Sequence, residues 1–103
     1  LIIRGVNVFP TQIEDLILKQ PELAPHYVLE ITRPGAMDEL AVHVEMAAAL
    51  AQASQETRSA AAAKLEHNIK GYIGVTVQVQ LALPGGIERS IGKAKRVVDR
   101  RPK

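Results

Sequence analysis

A lysine placed between a glycine and several basic residues is the strongest chemical feature of this sequence. Lys93 directly follows Gly92, and Arg89, Lys95 and Arg96 lie within four residues of it. Glycine loosens the backbone, and a lysine carries a compact positive charge on a long stem, so the ammonium group can be swung onto a phosphate or carboxylate. A basic terminal segment is more often a solvated tail, and these residues alone leave both interpretations open.

The glycine-rich approach to Lys93 does not match the phosphate-binding P-loop. That motif has four residues between its first glycine and the Gly-Lys step, and a serine or threonine after the lysine. Here five residues separate Gly86 from Gly92, and Ala94 stands where a hydroxyl group would bind magnesium. The sequence therefore predicts no P-loop.

The other chemically active side chains form no recognisable catalytic or metal-binding set. His26, His43 and His67 lie on different predicted elements, and the chain has no cysteine to complete a zinc site. Ser54 has the position of a helix cap, and Ser90 has no histidine near it in sequence, which argues against a nucleophilic triad. We expect no metal site.

The net charge of +2 is distributed unevenly along the chain. Residues 1–87 carry six basic and nine acidic side chains, whereas residues 88–103 carry seven basic and two acidic ones. A short basic segment indicates an anionic partner such as a phosphate rather than a nucleic-acid-binding face. Only three residues are aromatic and none is tryptophan, so we expect no platform for stacking bases.

Length and hydropathy predict one domain over residues 1–103, because 103 residues with 47% hydrophobic content suit a single compact core. No apolar run approaches the roughly 20 residues of a membrane helix, and no signal-peptide pattern is present. We therefore expect a cytoplasmic protein without membrane contact. The first residue is Leu1 in a strand-like segment, which predicts that the chain begins inside a longer polypeptide.

Hydrophobic periodicity predicts the element order β-α-β-β-α-β. The predicted elements are a strand at 1–8, a helix at 11–20, strands at 27–32 and 39–46, a helix at 54–70 and a strand at 75–82. A capping box from Thr11 to Glu14 starts the first helix, and Gly71 is placed to end the second. This order predicts an α+β, ferredoxin-like fold with both helices on one face of an antiparallel sheet, followed by a basic C-terminal tail.

Two stretches at opposite ends of the chain resemble one enzyme family. The small C-terminal domain of adenylate-forming acyl-CoA ligases begins with a glycine, an aliphatic residue, a proline and an Ile-Glu pair at set spacing. The matching residues here are Gly5, Val8, Pro10, Ile13 and Glu14. Gln12 stands where many relatives have glutamate, and we expect Glu14 to complete the capping box regardless.

Near the other end, the same family carries a Gly-Lys step followed by an arginine three residues after the lysine. Gly92, Lys93 and Arg96 match this pattern. The sequences of both stretches most resemble the phenylacetate-CoA ligase branch of the family. The order of helices and strands between them also suits this domain. The resemblance therefore covers essentially the whole chain.

The resemblance implies a two-step reaction in the complete enzyme. ATP and Mg²⁺ first convert phenylacetate, or a similar aryl acid, into an acyl-adenylate and pyrophosphate, and the thiol of coenzyme A then displaces AMP. It implies that Lys93 is the catalytic lysine of the first step, with Gly92, Arg89 and Arg96 supporting its loop.

The resemblance also implies that the domain rotates about a hinge just before Leu1 between the two steps. Gly5, Val6, Asn7 and Val8 would then line the tunnel for coenzyme A. The sites for ATP, magnesium and the aryl acid belong mainly to a large N-terminal adenylation domain, which is the main partner and is absent from this chain. We therefore expect the fragment to bind no cofactor tightly and to catalyse nothing alone; the parent enzyme could be a homodimer.

A different class of function is a stand-alone ferredoxin-like module that binds RNA or a small metabolite through its basic tail. The shortage of aromatic residues and the acidic balance of residues 1–87 argue against RNA. The paired motifs argue against a regulatory module, although the fold alone does not separate these classes.

Overall fold

The computed structural model describes residues 1–87 and 96–101. The elements in these ranges are, in order, β1 Ile2–Ile3, β2 Val6–Asn7, α1 Pro10–Leu18, β3 Leu23–Thr32, β4 Glu39–Met46, a 3₁₀ turn Ala48–Leu50, α2 Gln55–Ile73, β5 Gln78–Ala82 and β6 Val97–Asp99. They confirm the α+β class and the two predicted helices.

The main sheet contains four strands in the order β5-β4-β3-β6. Strands β3 and β4 form the predicted antiparallel hairpin, in which Leu29 lies opposite Val42. Strand β5 runs parallel to β4, and β6 runs parallel to β3. The sheet is therefore mixed, and the expectation of an antiparallel sheet is wrong. The reason is that α2 is a crossover that returns the chain beside β4 in the same direction, and no strand from residues 1–8 separates β4 from β5.

Residues 1–8 form a small hairpin rather than the predicted single strand. Strands β1 and β2 are antiparallel, with Ile3 opposite Val6. The two residues between them, Arg4 and Gly5, have φ values of 51° and 79°. Positive φ at both central positions is the pattern of a two-residue turn whose twist matches the strands it joins. The Arg-Gly step that interrupts the strand pattern is thus the turn itself.

Helix α1 starts one residue earlier than predicted, at Pro10. Proline is well suited to this position because the first helical amides have no partner within the helix. The Phe9 backbone N–H donates to the Gln12 side-chain oxygen at 3.1 Å. The predicted capping box of Thr11 and Glu14 is therefore wrong. Gln12 makes the reciprocal contact, which leaves the Glu14 carboxylate available for another role.

Helix α2 begins after Ser54, whose hydroxyl accepts a hydrogen bond from the Thr57 backbone N–H at 3.2 Å, as its predicted capping role requires. The helix continues through Gly71, so the predicted end at that residue is wrong. It ends instead at Gly74, which adopts a left-handed φ of 89°. A glycine inside a helix costs only about 1 kcal/mol, and packing of Ile73 against the core favours the extra turn.

Both helices cover one face of the main sheet and share one core with it. The buried residues of this core include Ile13 and Ile17 of α1, Leu65 and Ile69 of α2, and Leu29, Ile31, Val42 and Val44 of the central strands. The arrangement of two helices on one face is confirmed. In the part of the chain that is described, neither helix has the length and apolar content needed to cross a membrane.

Candidate functional site

The residues predicted to act in function divide between described and undescribed parts of the chain. Lys93, Gly92 and Arg89 lie outside the described residues. Arg96 is described, immediately before β6, and so is the N-terminal hairpin at residues 5–8. We call residues 88–95 the Lys93 segment. The described geometry therefore concerns the residues on either side of this segment and the N-terminal hairpin.

Arg96 lies in a compact group with Glu14 and Tyr27, which we call the Glu14 cluster. The guanidinium group of Arg96 donates to the Glu14 carboxylate and lies 5.0 Å from the centre of the Tyr27 ring. The Tyr27 hydroxyl donates to the same Glu14 oxygen at 3.2 Å. One carboxylate thus binds a cation and a phenol, and the cation also lies over the phenol ring.

Burial and charge define the electrostatics of the Glu14 cluster. The side chains of Arg96 and Glu14 are only 29% and 20% exposed, so water screens their attraction incompletely. Burial is the main cause that raises the pKa of Tyr27, which therefore stays a neutral hydrogen-bond donor. The pKa of Arg96 is also raised, first by its interaction with the Tyr27 side chain and further by Glu14. Arg96 accordingly stays charged, and Tyr27 stays neutral, across the physiological pH range.

Three separate elements bring the Glu14 cluster together. Glu14 lies on α1, Tyr27 lies on β3, and Arg96 precedes β6. Because β6 pairs with β3 in the register that puts Val97 beside Leu29, Arg96 arrives at the sheet next to Tyr27. Glu14 and Arg96 each belong to one of the two sequence motifs, but no pattern in the sequence indicated that they meet or that Tyr27 joins them.

A second carboxylate holds the turn that precedes the Lys93 segment. Glu45 on β4 is 1% exposed, and its two oxygens accept the backbone N–H groups of Gly85 at 2.9 Å and Ile87 at 3.0 Å. Because side chains alternate along a strand, Glu45 lies on the sheet face opposite that of its neighbour Val44. Its burial was not predicted, because the turn at residues 84–87 approaches that face only in the folded chain.

The predicted residues of the coenzyme A tunnel lie together on the N-terminal hairpin, with different exposure. Gly5 and Asn7 are exposed and Val6 is partly buried, whereas Val8 is fully buried in the core. A Cβ atom added to Gly5 would meet no atom within 4 Å. The tip of the hairpin therefore faces open space, while the Val8 side chain anchors the hairpin to the domain.

A group of charged side chains lies beside this hairpin, and we call it the hairpin-end cluster. Its members are Arg4, Arg33, Asp38, Asp99 and Arg101. The Asp38 carboxylate accepts from Arg33 at 2.7 Å and from Arg101 at 2.9 Å, while its backbone oxygen accepts from Arg4 at 2.7 Å. Arg101 also pairs with Asp99 at 2.7 Å. The cluster borders a shallow cleft of about 380 Å³ beside Gly5.

Ionisation of the two aspartates is favoured by their arginine partners. The pKa of Asp99 is lowered to about 2, chiefly by hydrogen bonds from Arg101. The pKa of Asp38 is lowered chiefly by the hydrogen bond from Arg33, with Arg101 adding to the effect. Both carboxylates are therefore charged at neutral pH. Within residues 1–87 and 96–101, no three histidine, aspartate or glutamate side chains are grouped so that they could hold a metal ion.

Fold and sequence together define a class of protein, the C-terminal domain of adenylate-forming enzymes. A sequence model of the family described as "AMP-binding enzyme C-terminal domain" matches residues 5–101. The chain belongs to this family.

Particular relatives narrow the comparison. The chain is 55% identical over its full length to a phenylacetate-coenzyme A ligase of Aromatoleum evansii, and 46% identical over 98% of its length to one of Escherichia coli. It spans about a quarter of the length of these relatives, 24% and 23%. It is similar to a C-terminal part of each larger enzyme, which weighs against the stand-alone module.

Solved structures support the same relationship. A crystallised domain of a phenylacetate-coenzyme A ligase from Bacteroides vulgatus has a TM-score of 0.86 and 31% identity, with 99% of this chain and 92% of that chain covered. A 2-hydroxyisobutyryl-CoA ligase, in complex with its acyl-AMP and CoA in the thioesterification state, has a TM-score of 0.88 and 31% identity. That comparison covers 96% of this chain and 20% of the ligase.

Proposed function

We propose that this chain is the C-terminal domain of an AMP-forming ligase that joins phenylacetate, or a similar aryl acid, to coenzyme A. The observation that carries the proposal is the 55% identity over the whole chain to a phenylacetate-coenzyme A ligase. The likeness to a CoA ligase that was captured with acyl-AMP and CoA supports ATP and coenzyme A as the other substrates. In this proposal, the main partner of the domain is the larger adenylation domain of the same polypeptide, in the cytoplasm.

Lys93 is proposed as the catalytic lysine of the first step. A carboxylate oxygen attacks the α-phosphorus of ATP, the bond from that phosphorus to the β-phosphate bridge breaks, and pyrophosphate leaves. Both reactants are anionic and negative charge builds on the phosphoryl oxygens, so an ammonium group that bridges them lowers the barrier by positioning and electrostatics. The match of Gly92, Lys93 and Arg96 to the family pattern supports this role.

The N-terminal hairpin is proposed to act in the second step. The thiol sulfur of coenzyme A attacks the acyl carbonyl carbon and AMP leaves, so Lys93 is no longer needed at the phosphate. Rotation of the domain would replace it with the hairpin, whose exposed tip at Gly5 leaves room for the pantetheine arm. Val6 and Asn7 would line the same path, and Val8 would hold the hairpin on the core.

The larger domain is proposed to supply what this chain lacks. Because the chain spans only about a quarter of the length of the ligases it resembles, we assign magnesium and the bulk of the nucleotide site to the adenylation domain. The 103-residue chain alone should therefore catalyse neither step.

The experiment that tests the proposal separates the two steps in the complete ligase. Lys93→Ala should lower phenylacetate-dependent ATP–pyrophosphate exchange by about 100-fold or more, because the reacting anions lose their bridging cation. Thioester formation from pre-formed phenylacetyl-adenylate should remain close to wild type. Lys95→Ala removes the same charge two residues away and serves as the control. An equal loss in both steps, or the same loss in the control, would contradict the assigned role.

A further inference from the structure

On each side of the Lys93 segment, the flanking residue donates a hydrogen bond to a carboxylate that belongs to the folded core. Residues 88–95 connect Ile87 to Arg96. On the first flank, the Ile87 backbone N–H donates to Glu45. On the second flank, the Arg96 side chain donates to Glu14. The motif that carries the chemistry thus lies between two points that the rest of the domain holds in place.

The first contact starts from a carboxylate that is held in the core. Glu45 lies on a central strand of the sheet, and its side chain is almost fully buried. Its two oxygens accept the backbone N–H groups of Gly85 and Ile87. Hydrogen bonds to a buried carboxylate are stronger than those between neutral groups, so they fix the path of the chain as it enters the segment.

The second contact acts on a side chain, but the surroundings limit its freedom. The Arg96 guanidinium group forms an ion pair with the Glu14 carboxylate and also lies over the Tyr27 ring. Glu14 belongs to α1, which is held to the core by Ile13 and Ile17. The position of Arg96 is therefore tied to the helix layer as well as to the sheet.

We propose that Glu14 and Glu45 are positioning residues for the adenylation step, because they fix the two ends of the segment that carries Lys93. The inference rests on the proposed function of Lys93. Arg96 lies three residues after the lysine, so only two residues separate Lys93 from the residue that Glu14 holds. A displacement of about 1 Å in a reacting group can cost about 100-fold in rate, which gives small changes at these ends a measurable effect.

A role in stability alone explains Glu14 less well. A partly buried ion pair gains little over a well-packed apolar pair of the same size, because both charges lose hydration. Glu14 is also not needed as a helix cap, since Gln12 makes that contact. The Glu14–Arg96 pair does provide a defined geometry between α1 and the residue that follows the Lys93 segment.

The test uses the complete ligase with the variant Glu14→Gln, which keeps the shape and one acceptor oxygen for Tyr27 but removes the charge that holds Arg96. We expect the kcat of acyl-adenylate formation to fall about tenfold, with smaller changes in the KM for ATP and phenylacetate. Thioester formation from pre-formed adenylate should stay within about twofold of wild type. Glu45→Gln, which can no longer accept with two carboxylate oxygens, should show the same split.

Glu30→Gln is the matched control. Glu30 lies on β3 and pairs with Arg100 at 2.7 Å, just beyond the other end of β6, so the variant also removes a carboxylate that binds an arginine next to this strand. It should leave both steps near wild type. If Glu30→Gln lowers adenylation as much as Glu14→Gln does, the effect belongs to the strand in general and the positioning role is overturned.

A double variant separates positioning from a general weakening of the fold. If Glu14 acts through Lys93, Glu14→Gln should add almost nothing to the loss already caused by Lys93→Ala. Losses that multiply would overturn the inference. A wild-type adenylation rate in Glu14→Gln, alongside a large loss in Lys93→Ala, would overturn it while leaving the proposed function intact. If Lys93→Ala itself retains adenylation, both fail.

Discussion

Two regions of this domain tie distant parts of the chain together with carboxylates, and they differ in the exposure of the partners that these carboxylates bind. In the first region, Glu45 binds Ile87 before the Lys93 segment and Glu14 binds Arg96 after it. Both carboxylates are sheltered from water, and Glu45 is only 1% exposed. In the hairpin-end cluster the exposure is mixed: the Asp38 side chain is 11% exposed, whereas those of Arg33 and Asp99 are both 44% exposed. The first region depends on one fully buried carboxylate, Glu45, whereas the second combines a sheltered Asp38 with partners at the surface.

The difference indicates how firmly each region is held. Charges in a sheltered site are weakly screened, and a backbone N–H that loses a buried carboxylate loses a strong, charged acceptor. Exposed ion pairs are screened by water and salt, and each can be exchanged for solvent at small cost. We therefore expect strict geometry beside the Lys93 segment and more tolerance at the hairpin.

The largest effect is expected at Glu45. Glu45→Ala removes the buried carboxylate that accepts the N–H groups of Gly85 and Ile87, which should lower the free energy of unfolding by roughly 3 kcal/mol. Urea unfolding of the 103-residue chain measures this change. Glu66→Ala is the control, because Glu66 accepts one backbone N–H, that of Val79 at 2.9 Å, at a less buried site. Equal losses for the two variants would contradict the idea that burial makes Glu45 decisive.

An intermediate effect is expected at the hairpin tip, and it should appear in catalysis rather than in folding. Both Gly5→Leu and Gly5→Ala add a Cβ atom at a positive φ, which costs each about 1 kcal/mol of backbone strain. Neither meets a neighbouring atom near that Cβ. Only leucine adds bulk, so in the complete ligase it should slow thioester formation about tenfold more than alanine does, with adenylation spared.

The pair of substitutions at Gly5 separates two explanations for the glycine. Equal slowing by leucine and alanine would mean that backbone conformation alone requires glycine there. Normal thioester formation in the leucine variant would remove the hairpin from the path of coenzyme A.

The smallest effect is expected in the hairpin-end cluster when the pH is lowered. Because the pKa of Asp99 is about 2 in the folded chain and 3.8 as a reference value, its ionisation stabilises the fold above pH 3.8. That contribution is lost as the pH falls from about 4 to about 2. The melting temperature of the chain should exceed that of Asp99→Asn slightly at pH 5, and the two should converge near pH 2. A difference in melting temperature that persists at pH 2, or that does not change when salt is added, would contradict an ionic origin.

Local patterns in the sequence predicted much of the secondary structure. The strand at Glu39–Met46 has the predicted bounds, and Ser54 caps α2 as expected. The predicted helix ends were wrong where two nearby residues could each cap the helix. Gly71 and Gly74 both fit the end of α2, and packing of Ile73 decided between them. Gln12 and Glu14 both suited the start of α1, and Glu14 was drawn instead to Arg96.

The sequence by itself determined the family, the two motifs and the number and type of the main elements, because spacing, periodicity and turn residues are local properties of the chain. Only the tertiary structure decided that the sheet is mixed and that Glu45 is buried. It also decided that Glu14 meets Arg96, 82 residues away. The physical reason is that such contacts depend on which strands pair and in what register, and periodicity shows which face a residue occupies but not which neighbour that face will meet.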